Sequence, residues 1–69
     1  MKVVTEVAGK VWKIDAQPGA QLSADDVILI LESMKMEIPV VAPRAGIVHS
    51  INCNEGDAVT EGQVLVVLG

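Results

Sequence analysis

Short apolar runs separated by polar turns follow one another along the whole chain. Five of the runs are brief, rich in β-branched residues and bounded by turn signals, which is typical of strands rather than helices. They are residues 3–4, 11–15, 27–31, 38–42 and 64–68. Turns or bends are predicted between them, at Gly9 and at residues 17–19, 22–26 and 43–46. Pro39 lacks a backbone N–H, so its strand is predicted to lie at a sheet edge or to be bulged.

The chain is also an internal duplication. Residues 1–32 align without a gap on residues 38–69, and glycine falls on glycine at Gly9/Gly46 and at Gly19/Gly56. A repeat too small to bury its own apolar face needs its copy. Two all-β halves are therefore expected to pack around one core, as a flattened sandwich or barrel with pseudo-two-fold symmetry.

Only residues 33–37 lie outside the duplication, and they connect its two copies. The apolar runs on either side predict a hairpin with Met34 and Lys35 at the turn. Two-residue hairpin turns need positive φ and usually contain Asn, Asp or Gly, none of which is present here. A turn that departs from local preference is a candidate functional site, and Lys35 is its reactive group. The alternative is a solvated lysine between two core methionines.

Composition and charge narrow the possible functions. The chain has 69 residues and a net charge of −4, which argues against binding nucleic acid or an anionic membrane. No apolar run approaches the roughly 18 residues of a membrane span. The N-terminus lacks a signal peptide and Cys53 has no cysteine partner, so a reducing, cytoplasmic location is expected. Cys53 itself is interpreted as a small apolar residue.

Catalytic and metal sites are not predicted. The sequence offers no nucleophile with a base and an orienting acid, no glycine-rich phosphate loop and no cluster of metal ligands. His49, the lone histidine, aligns with Trp12 in the repeat and is interpreted as a surface strand residue. The chain is therefore expected to present Lys35 to other proteins rather than to catalyse a reaction.

The hairpin resembles a known attachment motif. Its sequence is Glu32-Ser33-Met34-Lys35-Met36-Glu37. This looks like the Glu-Ala/Ser-Met-Lys-Met-Glu motif of biotin carboxyl carrier domains, and the duplicated flanks resemble the biotinyl/lipoyl attachment fold over residues 1–69. The resemblance implies one domain of two four-stranded antiparallel sheets, a barrel-sandwich hybrid. It also implies that Lys35 is biotinylated and that Met34 and Met36 belong to the ligase recognition motif, with Glu32, Ser33 and Glu37 as flanking positions.

The same resemblance implies a function and its partners. Biotin protein ligase would modify Lys35, and a biotin carboxylase would then supply a carboxyl group that a carboxyltransferase passes to an acyl-CoA or another acceptor, as in acetyl-CoA carboxylase. Two departures are that residues 15–22 leave no room for the thumb insertion of some bacterial carriers, and that no Ala/Pro-rich linker precedes the domain. A stand-alone carrier or a domain of a larger carboxylase is expected, monomeric in isolation.

Two alternatives share this fold. The first is a lipoyl carrier, although lipoyl domains more often have Asp before the lysine and Ala after it. The second is an unmodified binding or structural module, similar to the hybrid domains of transport adaptors, in which Lys35 would be dispensable.

Overall fold

The computed structural model describes residues 1–69 and contains eight strands and no helix. The strands are β1 (Lys2–Val4), β2 (Gly9–Ile14), β3 (Gln21–Leu22), β4 (Val27–Ser33), β5 (Met36–Val41), β6 (Gly46–Ile51), β7 (Ala58–Val59) and β8 (Val64–Leu68). They form two four-stranded antiparallel sheets, in the orders β1-β8-β6-β3 and β5-β4-β2-β7. This confirms the predicted all-β fold of two packed sheets. The structure holds no helix of the length and hydrophobicity that a membrane span requires.

The duplication is visible in the backbone hydrogen bonds. Gly19 N donates to Val48 O at 2.8 Å, and in the other half Gly56 N donates to Val11 O at 2.7 Å. Each bond joins the turn of one copy to a strand of the other copy. The two halves therefore interlock, as expected for a repeat that is too small to bury its own apolar face.

The core lies between the two sheets and is built from aliphatic side chains. β4 and β8 occupy inner positions of their sheets, as their continuous apolar sequences predict. Ile28, Leu29 and Leu31 are fully buried. Consecutive residues of a regular strand point to opposite faces, but a bulge against β5 between Val27 and Leu29 shifts the alternation, so that Ile28 and Leu29 are both buried.

Several element boundaries differ from the sequence predictions. β4 and β5 extend two residues further toward the hairpin than predicted, which leaves only Met34 and Lys35 in the turn. Gly9 was predicted as a turn but is the first residue of β2, because the chain bends at Glu6 and Val7 instead. β6 and the two-residue strands β3 and β7 were not among the predicted runs. Pro39 does lie on an edge strand, β5, as predicted. An edge strand has a neighbour on one side only, so proline can be accommodated there although it has no N–H to donate to a ladder.

The chain termini occupy the position in one sheet that the hairpin occupies in the other. The Met1 amine donates to Leu68 O at 2.6 Å, and Leu68 N donates to Met1 O at 2.7 Å. In the repeat this pair corresponds to Leu31 and Ile38, which face each other just below the hairpin. β2 begins beside the hairpin and leads to the loop of Gly19, which donates a hydrogen bond to Val48 close to the termini. The hairpin and the termini therefore lie toward opposite ends of the domain, whose longest extent is 30 Å.

Candidate functional site

The hairpin between β4 and β5 has a tight two-residue turn. Ser33 and Met36 form the last pair of the ladder, and Met34 and Lys35 between them have φ angles of 52° and 63°. Both residues are therefore in the left-handed region, as a type I′ turn requires. This conformation is costly for side chains other than Gly, Asn and Asp, so the turn maintains local strain at the position that the sequence marks as functional.

The turn directs its side chains into solvent. Met34 is 92% exposed and Met36 is 63% exposed, so neither is a core residue. Lys35 is exposed as well. The one ion pair of the structure joins Lys13 Nζ to Asp15 Oδ1 at 3.6 Å, so no carboxylate holds the Lys35 amine. A long group could be joined to Nζ without displacing any other part of the domain.

Two contacts fix the base of the hairpin against the body of the domain. Ser33 Oγ donates a hydrogen bond to Ala8 O at 2.8 Å. Beside it, a Cβ added to Gly9 would lie 2.7 Å from Glu32 O, so only glycine permits this approach of β2 to β4. Sequence reasoning singled out Ser33 and Gly9 but assigned them no such contact. The hairpin is thus an exposed turn on a rigid base.

Charged residues form a row across the strands directly below the turn. Glu32 of β4 lies opposite Glu37 of β5 on one side and opposite Lys10 of β2 on the other. Like charges facing each other across a sheet are unfavourable, and Lys10 offsets part of this repulsion. Neither glutamate side chain makes an ion pair or a hydrogen bond within the domain. Both carboxylates are exposed and available to a partner protein.

The remaining features of the domain lie elsewhere. An open groove of about 430 Å³ runs between the edge strands β1 and β5 and includes no residue of the turn. Cys53 is buried, and its pKa is raised, first by burial and then by the nearby carboxylate of Asp57, so it is a poor nucleophile at neutral pH. No group of three or more His, Cys, Asp or Glu side chains is arranged to hold a metal ion.

Comparison with known proteins agrees with this geometry. A family model described as "Biotin-requiring enzyme" matches residues 1–68. The "Biotin/lipoyl attachment protein" of Bacillus subtilis is 48% identical over 68 residues, covering 99% of this chain and 93% of the relative. The "Biotinylated protein TB7.3 homolog" of Mycobacterium leprae is 39% identical over 66 residues, covering 96% of this chain and 93% of the relative.

A solved structure shows the same fold. Urea carboxylase of Kluyveromyces lactis superposes with a TM-score of 0.95 at 33% identity, over 100% of this chain and 6% of that much longer chain. Domains with this architecture therefore occur both in small attachment proteins and within large carboxylases.

Proposed function

The chain belongs to the biotin/lipoyl attachment family, and from this premise we propose that it is a biotin carboxyl carrier whose attachment residue is Lys35. Members of this family are carrier domains rather than catalysts. The observation that supports Lys35 most directly is its position in the two-residue turn, exposed and without a carboxylate partner. The mycobacterial relative, which is named as a biotinylated protein, supports biotin as the group attached.

The attachment reaction requires little chemistry from the domain itself. The Lys35 amine loses a proton to a base of the ligase and attacks the acyl carbon of biotinyl adenylate. A C–N amide bond forms, the C–O bond to the phosphate breaks, and AMP leaves with the electron pair. The domain contributes access and orientation: the I′ turn keeps Nζ in solvent, while the Ser33–Ala8 hydrogen bond fixes the base of the hairpin. Met34 and Met36 present flexible, polarisable side chains to the ligase on either side of the lysine.

The domain then acts as a mobile support. Amide formation removes the positive charge of Lys35 and lengthens its side chain. Attached biotin supplies a ureido nitrogen that accepts and releases a carboxyl group. We propose that the partners are biotin protein ligase, a biotin carboxylase and a carboxyltransferase, with an acyl-CoA as acceptor. Tethering raises the effective concentration of the cofactor at both active sites, and this is the physical advantage of a carrier.

A lipoyl carrier is the second candidate. It is favoured by the name of the Bacillus subtilis relative, which includes both cofactors. The exposed lysine of a I′ turn would accept either acyl group, so the geometry of Lys35 alone does not separate them. The residues on either side of it do favour biotin, since Met34 and Met36 replace the Asp and Ala that the lipoyl branch more often has.

The test is the intact mass of the protein after incubation with biotin protein ligase, ATP and biotin, followed by peptide mapping. We expect one biotinyl group, on Lys35, and none on the other lysines. The matched control is Lys35→Arg, which keeps the charge and should remain unmodified. A parallel incubation with lipoate ligase and lipoate separates the two carriers. Modification by the second enzyme alone would replace biotin with lipoate, and modification by neither would favour the unmodified module.

A further inference from the structure

The outer face of the sheet that ends in the hairpin presents the only aromatic residue of the chain. Trp12 is 50% exposed and lies on β2. It occupies a bulge, since Val11 pairs with Leu31 and the next residue to pair is Lys13, opposite Ile30. Bulges reorient the side chain of the extra residue, and here half of the Trp12 surface remains exposed.

Residues next to Trp12 extend this feature across the sheet. Lys13 lies opposite Ile30, and Ile30 lies opposite Pro39 on the far side. Lys10 lies two residues before Trp12, opposite Glu32, in the row of charged residues directly below the hairpin. We name this surface the Trp12 face and define it by Lys10, Trp12, Lys13, Ile30 and Pro39. It is continuous with the base of the turn.

The pseudo-symmetric surface of the other sheet has a different chemistry. In the repeat Lys10 corresponds to Ile47, Trp12 to His49 and Lys13 to Ser50. The fold treats the two positions alike, since His49 also lies at a bulge, between Val48 and Ser50. The aromatic residue and its two flanking cations therefore occur only on the sheet that ends in the hairpin. They place an exposed indole beside two lysines, of which Lys13 is paired with Asp15 at 3.6 Å and Lys10 lies opposite Glu32.

We propose that the Trp12 face is the surface on which biotin protein ligase docks, and that the ligase meets it with an apolar pocket bordered by carboxylates. This inference rests on the proposed function. Trp12 would enter the pocket, and Lys10 and Lys13 would pair with the surrounding acids, for which Lys13 would exchange its exposed ion pair with Asp15. Tryptophan is one of the three residue types enriched among those that dominate the binding energy of protein interfaces, particularly near the centre of the interface.

The ligase is the partner for which contact with this face is needed most. The amine that it acylates is on Lys35 itself, so its active site must close on the hairpin within the length of one side chain. A specific interface buries about 800 Å² on each partner, much more than a two-residue turn can offer. Contact that extends beyond the turn along β2 reaches the Trp12 face, because Lys10 of that face lies opposite Glu32 at the base of the hairpin. The carboxylase and carboxyltransferase instead meet the cofactor at the end of a long arm.

Steady-state biotinylation kinetics with the whole domain as substrate test the proposal. Trp12→Ala should raise the KM for the domain about tenfold or more and leave kcat close to its original value, because the lysine and the motif are unchanged. The matched control is His49→Ala, at the equivalent bulge of the other sheet, which should leave KM unchanged. Thermal melting of both variants verifies that they are folded.

A second pair of variants tests the charges without altering an apolar contact. Lys13→Gln removes one cation and also frees Asp15 from its ion pair, so it should raise KM severalfold and weaken its dependence on salt. Lys2→Gln on the other sheet should do neither. Equal KM values for Trp12→Ala, Lys13→Gln and the parent domain would overturn the inference while biotinylation of Lys35 stood. Absence of biotinylation in the parent domain would instead overturn the proposed function, so the two failures are distinguishable.

Discussion

Gly9 lies directly against the backbone of Glu32, so closely that a Cβ on Gly9 would be 2.7 Å from the Glu32 carbonyl oxygen and 3.2 Å from Ser33 Cβ. The contact brings β2 beneath the hairpin, where Ser33 bonds to Ala8. A backbone oxygen cannot rotate away as a flexible side chain could. The position of the hairpin base therefore depends on the absence of a side chain at Gly9.

Replacement of Gly9 by alanine should displace the hairpin base. We expect Gly9→Ala to destabilise the domain by about 1–3 kcal/mol, the usual cost of forcing an extra group into a packed site. The added methyl group should also slow biotinylation of Lys35, because the strand that ends in the turn must shift. Thermal or urea unfolding measures the first effect and ligase kinetics measure the second.

Gly46→Ala is the matched control, since Gly46 is the counterpart of Gly9 in the repeat. A Cβ there would lie 3.0 Å from the carbonyl oxygen of Gly69, a looser contact than the 2.7 Å at Gly9. Because the overlap is smaller and lies in the sheet without the hairpin, Gly46→Ala should cost less than Gly9→Ala and leave the biotinylation rate unchanged. Equal losses from the two variants would show that the hairpin base has no special sensitivity.

The strained turn makes a second prediction. Replacing Met34 and Lys35 together by Asn and Gly gives a sequence that favours the I′ conformation, whereas the present residues have φ of 52° and 63°. Relief of left-handed strain should contribute about 1 kcal/mol per residue and raise the melting temperature by several degrees. The double variant should be impossible to biotinylate. Met34→Asn alone retains the lysine and should show about half of the gain in melting temperature. If neither variant melted at a higher temperature than the parent, the turn would not be strained.

Features of the fold that have a local or a regularly repeated sequence signal were predictable. The hairpin at Met34 and Lys35 follows from the apolar runs on each side, and the two-sheet fold follows from the duplication. The edge position of Pro39 follows from its missing N–H. In each case the signal is local or repeats at a fixed spacing, so no knowledge of the packed structure is needed.

Features that depend on distant contacts were not predictable. Gly9 was interpreted as a turn because glycine is common in turns, but its role is set by Glu32, which approaches only after the sheet has formed. The Ser33–Ala8 bond joins residues 25 positions apart. The exposure of Trp12 depends on a bulge in the pairing of β2 with β4, and the sequence pattern does not specify that register.

The paired turns of the repeat allow a third prediction, on backbone conformation. Gly19 and Gly56 have φ of 89° and 92°, and a Cβ at either position would meet nothing within 4 Å. Alanine therefore introduces no clash but must adopt a left-handed backbone. Gly19→Ala and Gly56→Ala should each destabilise the domain by about 1 kcal/mol, measured by chemical unfolding. Unchanged stability in both would refute this account.

A second equivalent pair serves as the control because one of its members is already strained. Asp25 has a φ of 71°, and its counterpart Gly62 has a φ of 86°. Asp25→Gly should be neutral or slightly stabilising, since glycine removes the left-handed cost and Asp25 is exposed. The opposite sign from Gly19→Ala, at a position of the same backbone class, would attribute the effect to φ rather than to lost packing.

Cys53 gives a prediction on pH. Burial, assisted by the Asp57 carboxylate, raises the pKa of the Cys53 thiol in the folded state. The unfolded thiol ionises near its ordinary pKa of about 8.5, so the unfolded state binds fewer protons above that pH. The stability due to the neutral thiol is complete below about pH 8.5 and is lost as the pH rises through the folded pKa.

The comparison that isolates this effect is Cys53→Ala, because alanine is the residue at the equivalent buried position, Ala16. Urea unfolding of both proteins from pH 7 to pH 11 should show the parent losing stability relative to the variant only in the alkaline part of the range. The same burial should make alkylation of Cys53 by iodoacetamide slow in the folded protein and fast in urea. Parallel stability curves across the whole range would mean that the thiol is ionised as readily in the folded state as in the unfolded chain.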